Sequence, residues 1–187
     1  PVVKCIESAL RFLRQNHQAE NWFLQMETFD PHEPFTAPPG WNTEDTGYSG
    51  PVLDWPRYKQ VEESEAEIAE LRENYAALAR FCDAQLGRLL AAFDDLDLWR
   101  DTAIVLTTDH GFLLGEHDWW AKNRMPFYNE VAHIPLMISH PALHQEGGSH
   151  ISALTQTIDL MPTFLELHGL PVSRNVTGQS LLPLLTG

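Results

Sequence analysis

Residues 107–122 read TTDHGFLLGEHDWWAK and bring carboxylates, two histidines and a lysine into one short stretch. Asp109 and His110 directly follow the apolar run AIVL. In open α/β sheets, ligands gather beyond the carboxyl ends of strands. An Asp–His pair there can offer a carboxylate oxygen and an imidazole nitrogen to one divalent ion. The same pair can instead be a polar strand-to-loop junction with Asp109 capping a turn. Adjacent side chains leaving a strand point opposite ways unless the chain turns, and Gly111 permits a turn. Lys122 lies in WWAKN, an aromatic setting in which a desolvated ammonium would hold an oxyanion strongly; a surface lysine is the other reading. His117 can ligate, donate a hydrogen bond or pack.

A second candidate is FDPHEPFTAPP, residues 29–39, where prolines flank His32 and restrict its backbone. A histidine so placed suits anion binding or general-acid work near neutral pH, or is simply a loop residue. His17, His133, His140, His144, His150 and His168 have no paired metal spacing and read as structural or exposed. The sequence GFLLG lacks the Lys-Ser/Thr of a phosphate loop, and NVT (175–177) fits a glycosylation sequon that often arises by chance.

These residues need elements to position them. Val3, Ile6, Leu10 and Leu13 have helical spacing, which predicts a helix over residues 3–16. NWFLQMETF (21–29) is short, aromatic and apolar, and reads as a buried strand. Residues 30–60 carry six prolines and three glycines, a long irregular excursion of the kind that is often functional. From Glu62 to Leu98, apolar residues from Ile68 to Leu96 recur every three or four positions, predicting one long amphipathic helix. Its acidic residues Glu62, Glu63, Glu65, Glu67, Glu70 and Glu73 read as a solvated face. TAIVLTT (102–108) has the continuous apolar character of a strand buried in a parallel sheet, and HIPLMISH (133–140) is another strand. TIDLMPTFLELHG (157–169) places Ile158, Met161, Leu165 and His168 at helical spacing, tolerates Pro162 in its first turn and stops at Gly169. Strand, helix, strand, strand, helix makes an α/β sheet sandwich.

The chain has 187 residues, enough for one domain or a large part of one. With 43% apolar and 20% charged residues it has a globular composition. A net charge of −14 argues against nucleic acid or anionic membrane as a general partner. No apolar run reaches the length of about 18 residues that spans a bilayer. Cys5 and Cys82 form no CxxC pair and lie in apolar-periodic segments, as buried thiols would. The chain opens on Pro1 rather than Met, so the lack of a signal segment does not specify a compartment.

Taken in order, FDPHEPFTAPP, the helix-to-strand segment ending TDHGFLLGEHDWWAK, EVAHIPLMISHP and TIDLMPTFLELHGLPVSRNVTGQSLLPLLTG resemble the sulfatase family of the alkaline-phosphatase-like superfamily. The resemblance covers about residues 22–187. It implies a three-layer α/β sandwich with a mostly parallel central sheet flanked by helices, and makes residues 1–187 an internal to C-terminal part of one catalytic domain. It implies hydrolysis of a sulfate ester, in a small molecule or a sulfated sugar, with oligomerisation compatible. Phosphonate monoester or phosphodiester hydrolysis on the same scaffold is the alternative, and an inactive binding or structural chain is a third reading. Asp109 and His110 match two ligands of one divalent metal, Ca²⁺ first, with Mn²⁺ or Mg²⁺ as alternatives. Lys122 and His32 match the residues that hold the ester near its bridging oxygen, with His32 protonating the leaving group. Glu116 and His117 stand where they can support those groups. The family's nucleophile is a formylglycine made from Cys or Ser in a Cys/Ser-x-Pro/Ala-x-Arg motif. Cys5 is followed by IES and Cys82 by DAQ, so neither fits, and the nucleophile is expected upstream of this chain. The chain alone is expected to bind metal weakly and not to turn over.

Overall fold

The computed structural model describes residues 1–143 and 148–186; His144 lies outside them. Along the chain the elements are α1 (Val2–Asn16), α2 (Glu65–Asp95), β1 (Ile104–Thr107), β2 (Leu113–Leu114), β3 (Trp120–Ala121), α3 (Asn129–Ala132), β4 (Leu136–Ser139), α4 (Leu160–Leu167) and α5 (Leu182–Thr186). They form two compact units, one of residues 1–98 and 110–135, the other of 99–109 and 136–187.

In the first unit α1 packs on α2. Val2, Ile6, Ala9, Leu10 and Leu13 form the buried face of α1, as its periodicity predicts. Ile6 and Leu13 are each 1% exposed, and full burial of such a side chain contributes about 1.5–3 kcal/mol. The Val2 N–H donates to Asp30 Oδ2 at 2.7 Å, tying the first turn of α1 to the loop that carries His32. α2 opens on a capping box, in which Ser64 and Glu67 each satisfy the other's backbone N–H. Leu71, Leu78, Leu89 and Phe93, all in the predicted stripe, are buried. Cys5 and Cys82 are only half-buried. The Cys5 thiol donates to the Glu27 carbonyl, and burial, followed by the nearby Asp30 charge, pushes the Cys82 thiol up to about 11.

The segment 21–29 forms no ladder, contrary to its strand-like sequence. No strand among the described residues pairs with it, and Phe23 and Phe29 stay more than half exposed. Apolar composition supplies only one of the two requirements of a strand; the other is a partner.

The acidic residues of α2 are not simply a solvated face. Glu73 is 7% exposed. Its carboxylate accepts from the Thr43 N–H at 2.6 Å, the Glu44 N–H at 3.4 Å and Arg80 Nη2 at 2.5 Å. Glu70 accepts from Thr46 Oγ1 and Asn74 Nδ2, and Glu63, just ahead of the helix, accepts from the Trp120 indole at 2.7 Å. Asn74 donates to the Leu53 carbonyl and Arg80 to the Trp41 carbonyl. The proline-rich excursion is therefore held by α2 side chains rather than by a ladder of its own. A sequence pattern of charges alone does not reveal these partners.

In the second unit β1 pairs antiparallel with β4, in the register Ile104 with Ser139 through Thr107 with Leu136. The ladders among the described residues are antiparallel, and β1 is half-buried rather than enclosed on both faces. Leu106 and Met137 face each other in this register and remain 38% and 59% exposed. The helix predicted over 157–169 begins as a 3-10 turn at Thr157–Asp159 and continues as α4. Gly169 (φ +66°) ends it, with the Gly169 N–H on Glu166 O and the Leu170 N–H on Leu165 O, a Schellman arrangement that uses glycine's left-handed freedom. Its buried side differs from the expected one: Pro162 and Thr163 are buried, while Ile158 and Met161 are about half exposed. Thr163 explains the difference, because its Oγ1 donates to Asp159 O and accepts from the Leu181 N–H, clamping that side to the start of α5.

Burial pushes the Glu73 carboxyl up, but the Thr43 and Glu44 N–H groups and Arg80 outweigh it, so the net direction is down from 4.5. A lowered carboxyl stabilises the fold above the unfolded value and loses that contribution as pH falls through the folded one. Glu73→Gln is expected to cost about 1–3 kcal/mol at neutral pH and to flatten the acid limb of stability below pH 4.5, as measured by urea denaturation across pH.

Candidate functional site

Lys122 follows β3, which pairs with β2 through Leu113–Ala121 and Leu114–Trp120. Trp120, Ala121 and Leu71 are fully buried together, with Phe112 and Tyr58 against them. This small apolar nucleus fixes the root of Lys122. Ala121 (φ +71°) and Asn123 (φ +81°) flank it in the left-handed region. Such conformations cost about 1 kcal/mol or more for a residue with a Cβ and persist where the surroundings impose them. The lysine is thus aimed by backbone on both sides. It is 8% exposed, and its Nζ lies 5.8 Å from the Phe112 ring centroid, within cation–π range.

The partner of that ammonium comes from ninety residues earlier. Lys122 Nζ is 2.8 Å from His32 Nε2. His32 Nδ1 is 2.8 Å from the Glu33 carbonyl. An Nδ1–H donated to that carbonyl puts the lone pair on Nε2, where the ammonium donates to it. The His32 ring also lies against Phe29, with centroids 4.2 Å apart. Behind it, Glu33 is completely buried. Tyr58 donates its hydroxyl to Glu33 Oε1. Glu33 Oε2 lies 3.2 Å from His32 Nδ1, without the geometry of a hydrogen bond and with no other hydrogen-bond partner among the described residues. Tyr58–Glu33–His32–Lys122 is one connected line of polar atoms within the first unit.

His110 is half-buried, and its Nδ1 is 3.0 Å from the Gly111 carbonyl. That contact favours the tautomer with its basic nitrogen at Nε2, the form a metal takes. Gly111 is required for space. A Cβ there would stand 1.8 Å from the Glu130 carbonyl oxygen, and the Gly111 N–H donates to Val131 O. His110 and Lys122 line one cavity of about 230 Å³. Asp109 is exposed at the end of the segment that carries β1. Among the described residues no three His, Cys, Asp or Glu groups converge as a metal cage. The donor chemistry of Asp109 and His110 fits a share of a ligand set.

Glu116 turns back on its own loop, its carboxylate accepting from the Leu114 N–H at 2.5 Å. His117 stacks on Tyr128 with centroids 4.0 Å apart, and its Nε2 is 3.1 Å from both Glu130 oxygens. The Glu130 carboxyl is held below its ordinary value, first by its own backbone N–H and then by His117. His117 therefore packs and hydrogen-bonds, two of the three uses its sequence allows. Sequence reasoning passed over Glu33, Tyr58 and Phe112. Glu33 had a signal, a carboxylate between histidine, proline and phenylalanine in DPHEPF; Tyr58 and Phe112 had none.

The sulfatase family model matches residues 4–170. Arylsulfatase K of Gallus gallus is 38% identical over 119 residues, 64% of this chain and 22% of that protein. The chain thus spans about a fifth of the length of the curated relatives it matches. The phosphonate monoester hydrolase of Silicibacter pomeroyi superposes with a TM-score of 0.77 at 29% identity, over 97% of this chain and 41% of that one. A structure in complex with its substrate D-glucosamine-2-N,6-O-disulfate has a TM-score of 0.61 at 34% identity, over 66% of this chain and 24% of that one. The fold is that of these alkaline-phosphatase-like neighbours.

The polar line has a measurable signature. Burial, reinforced by the bond to Glu33 and its charge, pushes the Tyr58 phenol up to about 12 from 10. Its contribution is complete below pH 10 and lost as pH rises through about 12. Tyr58→Phe leaves a buried carboxylate short of a donor and is expected to cost about 1–3 kcal/mol near neutral pH. The variant should also lack the alkaline loss of stability between pH 10 and about 12, which denaturant titrations at both ends of that window would read.

Proposed function

This chain belongs to the sulfatase family, and on that premise we propose that the whole protein hydrolyses sulfate esters. The observation that carries the reading is the 2.8 Å contact between Lys122 Nζ and His32 Nε2. Cleavage of a sulfate ester puts negative charge on the bridging oxygen. A cation held in a water-poor site at that oxygen lowers the barrier, because the charge it meets grows in the transition state. In this reading Lys122 meets the developing charge. His32 Nε2, which accepts from Lys122 in the substrate-free arrangement, carries a proton to the leaving oxygen once the ammonium has turned to the ester. The buried Glu33 carboxylate, 3.2 Å from Nδ1, stabilises the imidazolium while it exists.

Asp109 and the Nε2 of His110 would hold a divalent metal, Ca²⁺ first and Mn²⁺ or Mg²⁺ as alternatives, which when bound supplies Lewis-acid polarisation of a sulfuryl oxygen. A formylglycine would supply the nucleophile, and neither Cys5 nor Cys82 has the sequence context for it. Residues 1–187 are part of one catalytic domain in this proposal, with β1 and β4 belonging to a mostly parallel central sheet. The substrate is a sulfated small molecule or sugar. The described helices include none long and apolar enough to cross a membrane.

A second reading, phosphonate monoester or phosphodiester hydrolysis, is favoured by the likeness to the Silicibacter pomeroyi enzyme along 97% of this chain. The two separate in a substrate panel on the whole protein. Preference for an aryl sulfate supports the first reading. Preference for a phosphodiester by orders of magnitude in kcat/KM overturns it. Lys122→Ala is expected to lower kcat/KM by about 100-fold or more, and an unchanged rate would remove Lys122 from the chemistry.

A further inference from the structure

The cavity shared by His110 and Lys122 has a second wall that the chemistry above does not use. Asn123, Met125, Pro126 and Phe127 form it, in the loop between β3 and α3. Phe127 is 81% exposed, although it lines the same cavity as the buried Lys122. A large aromatic side chain left in water at the mouth of a cleft is a contact surface awaiting an apolar face. Its loop is anchored at both ends: Lys122 and Trp120 are buried on one side, and on the other the Tyr128 carbonyl accepts the Val131 and Ala132 N–H groups of α3. The wall and the ammonium therefore line the same cavity from adjoining stretches of chain.

Size limits what can enter. The cavity holds about 230 Å³, against the roughly 150 Å³ of a cavity that accepts one benzene ring. A cavity of that size has room for one six-membered ring. The exposed Asn123 amide adds a donor and an acceptor at the rim, suited to a hydroxyl or amino substituent on the ring.

We propose that the Asn123–Phe127 loop is the leaving-group subsite, and that it takes a single six-membered ring whose flat apolar face stacks on Phe127. The proposal rests on the sulfatase reading for the identity of the ester but not for the ring. An aryl ring and the apolar face of a hexose both provide that surface, and the substrates tested distinguish them.

The experiment compares the whole protein with its Phe127→Ala variant on 4-nitrophenyl sulfate, glucosamine 6-sulfate and methyl sulfate. The variant removes an exposed side chain, so folding is not at stake, and circular dichroism checks it. The ratio of kcat/KM for the ring substrate to that for methyl sulfate is expected to fall about tenfold or more, chiefly through KM. A fall with the aryl sulfate alone identifies an aryl source, a fall with the sugar alone a hexose, and a fall with both the shared face. An unaltered ratio for both rings overturns the proposal. If the wild-type protein cleaves no sulfate ester, the sulfatase reading fails by itself. The subsite is then decided by the binding of 4-nitrophenol and glucosamine: affinity weakened at least fivefold in Phe127→Ala sustains it, and equal affinity or no binding by wild type overturns it.

Discussion

A lysine ammonium withdrawn from water is unfavourable by several kcal/mol unless other polar atoms replace the lost solvent. Lys122 retains 8% of its exposure, and much of the first unit can be understood as the replacement. An imidazole nitrogen accepts from it, an aromatic face lies near it, and a buried carboxylate stands one residue behind the imidazole. These groups come from the loops around residues 32 and 112 and must arrive together. The backbone supports this with a special position on either side, Ala121 and Asn123, whose positive φ values set the direction from which the side chain emerges.

The second organising element is α2. It is amphipathic in the ordinary sense on the side that meets α1. Its polar side does a different job, because Glu70, Glu73, Asn74 and Arg80 supply the hydrogen bonds that residues 41–53 cannot make to one another. Through Glu63 the same stretch of chain reaches the indole of Trp120, next to the nucleus that roots Lys122. Burial raises the Glu63 carboxyl, yet the Glu62 N–H and that indole bring it net below its ordinary value. The irregular excursion is thereby supported by α2, and the nucleus beneath the buried cation by the residues that lead into it.

The parts legible in the sequence were those with a period or a motif. Helices α1 and α2 lie where their apolar spacing puts them, and Gly169 ends α4 with a positive φ. DPHEPF and WWAKN could each be singled out, yet nothing in either says that His32 and Lys122 touch across ninety residues. Contacts of that kind depend on packing, which local patterns do not encode. The expected strand at 21–29 failed for a related reason, since pairing is a property of two segments. The acidic face of α2 misled because a glutamate in water and one bound to backbone N–H groups look alike in a one-dimensional pattern. Gly111 stands out in the sequence as a place where the chain can turn, and the structure adds a second reason for it: the neighbouring backbone leaves no room for a Cβ.

The excursion is attached to α2 in a lopsided way. On the helix the attachment points are side chains, whereas on the loop most are main-chain atoms: the amides of Thr43 and Glu44 and the carbonyls of Trp41 and Leu53. Every amino acid has that carbonyl, and all but proline have that amide. The identities of residues 43 and 44 can therefore drift while the loop stays moored, provided Glu73, Asn74 and Arg80 are kept; Trp41, edge-on to Phe81, and Leu53, against the Leu71–Trp120 nucleus, are held by their side chains as well. Variation along this segment can reshape the surface it presents without loosening the support beneath it, so a lineage or a designer could alter the rim and leave the polar line from Tyr58 to Lys122 in place.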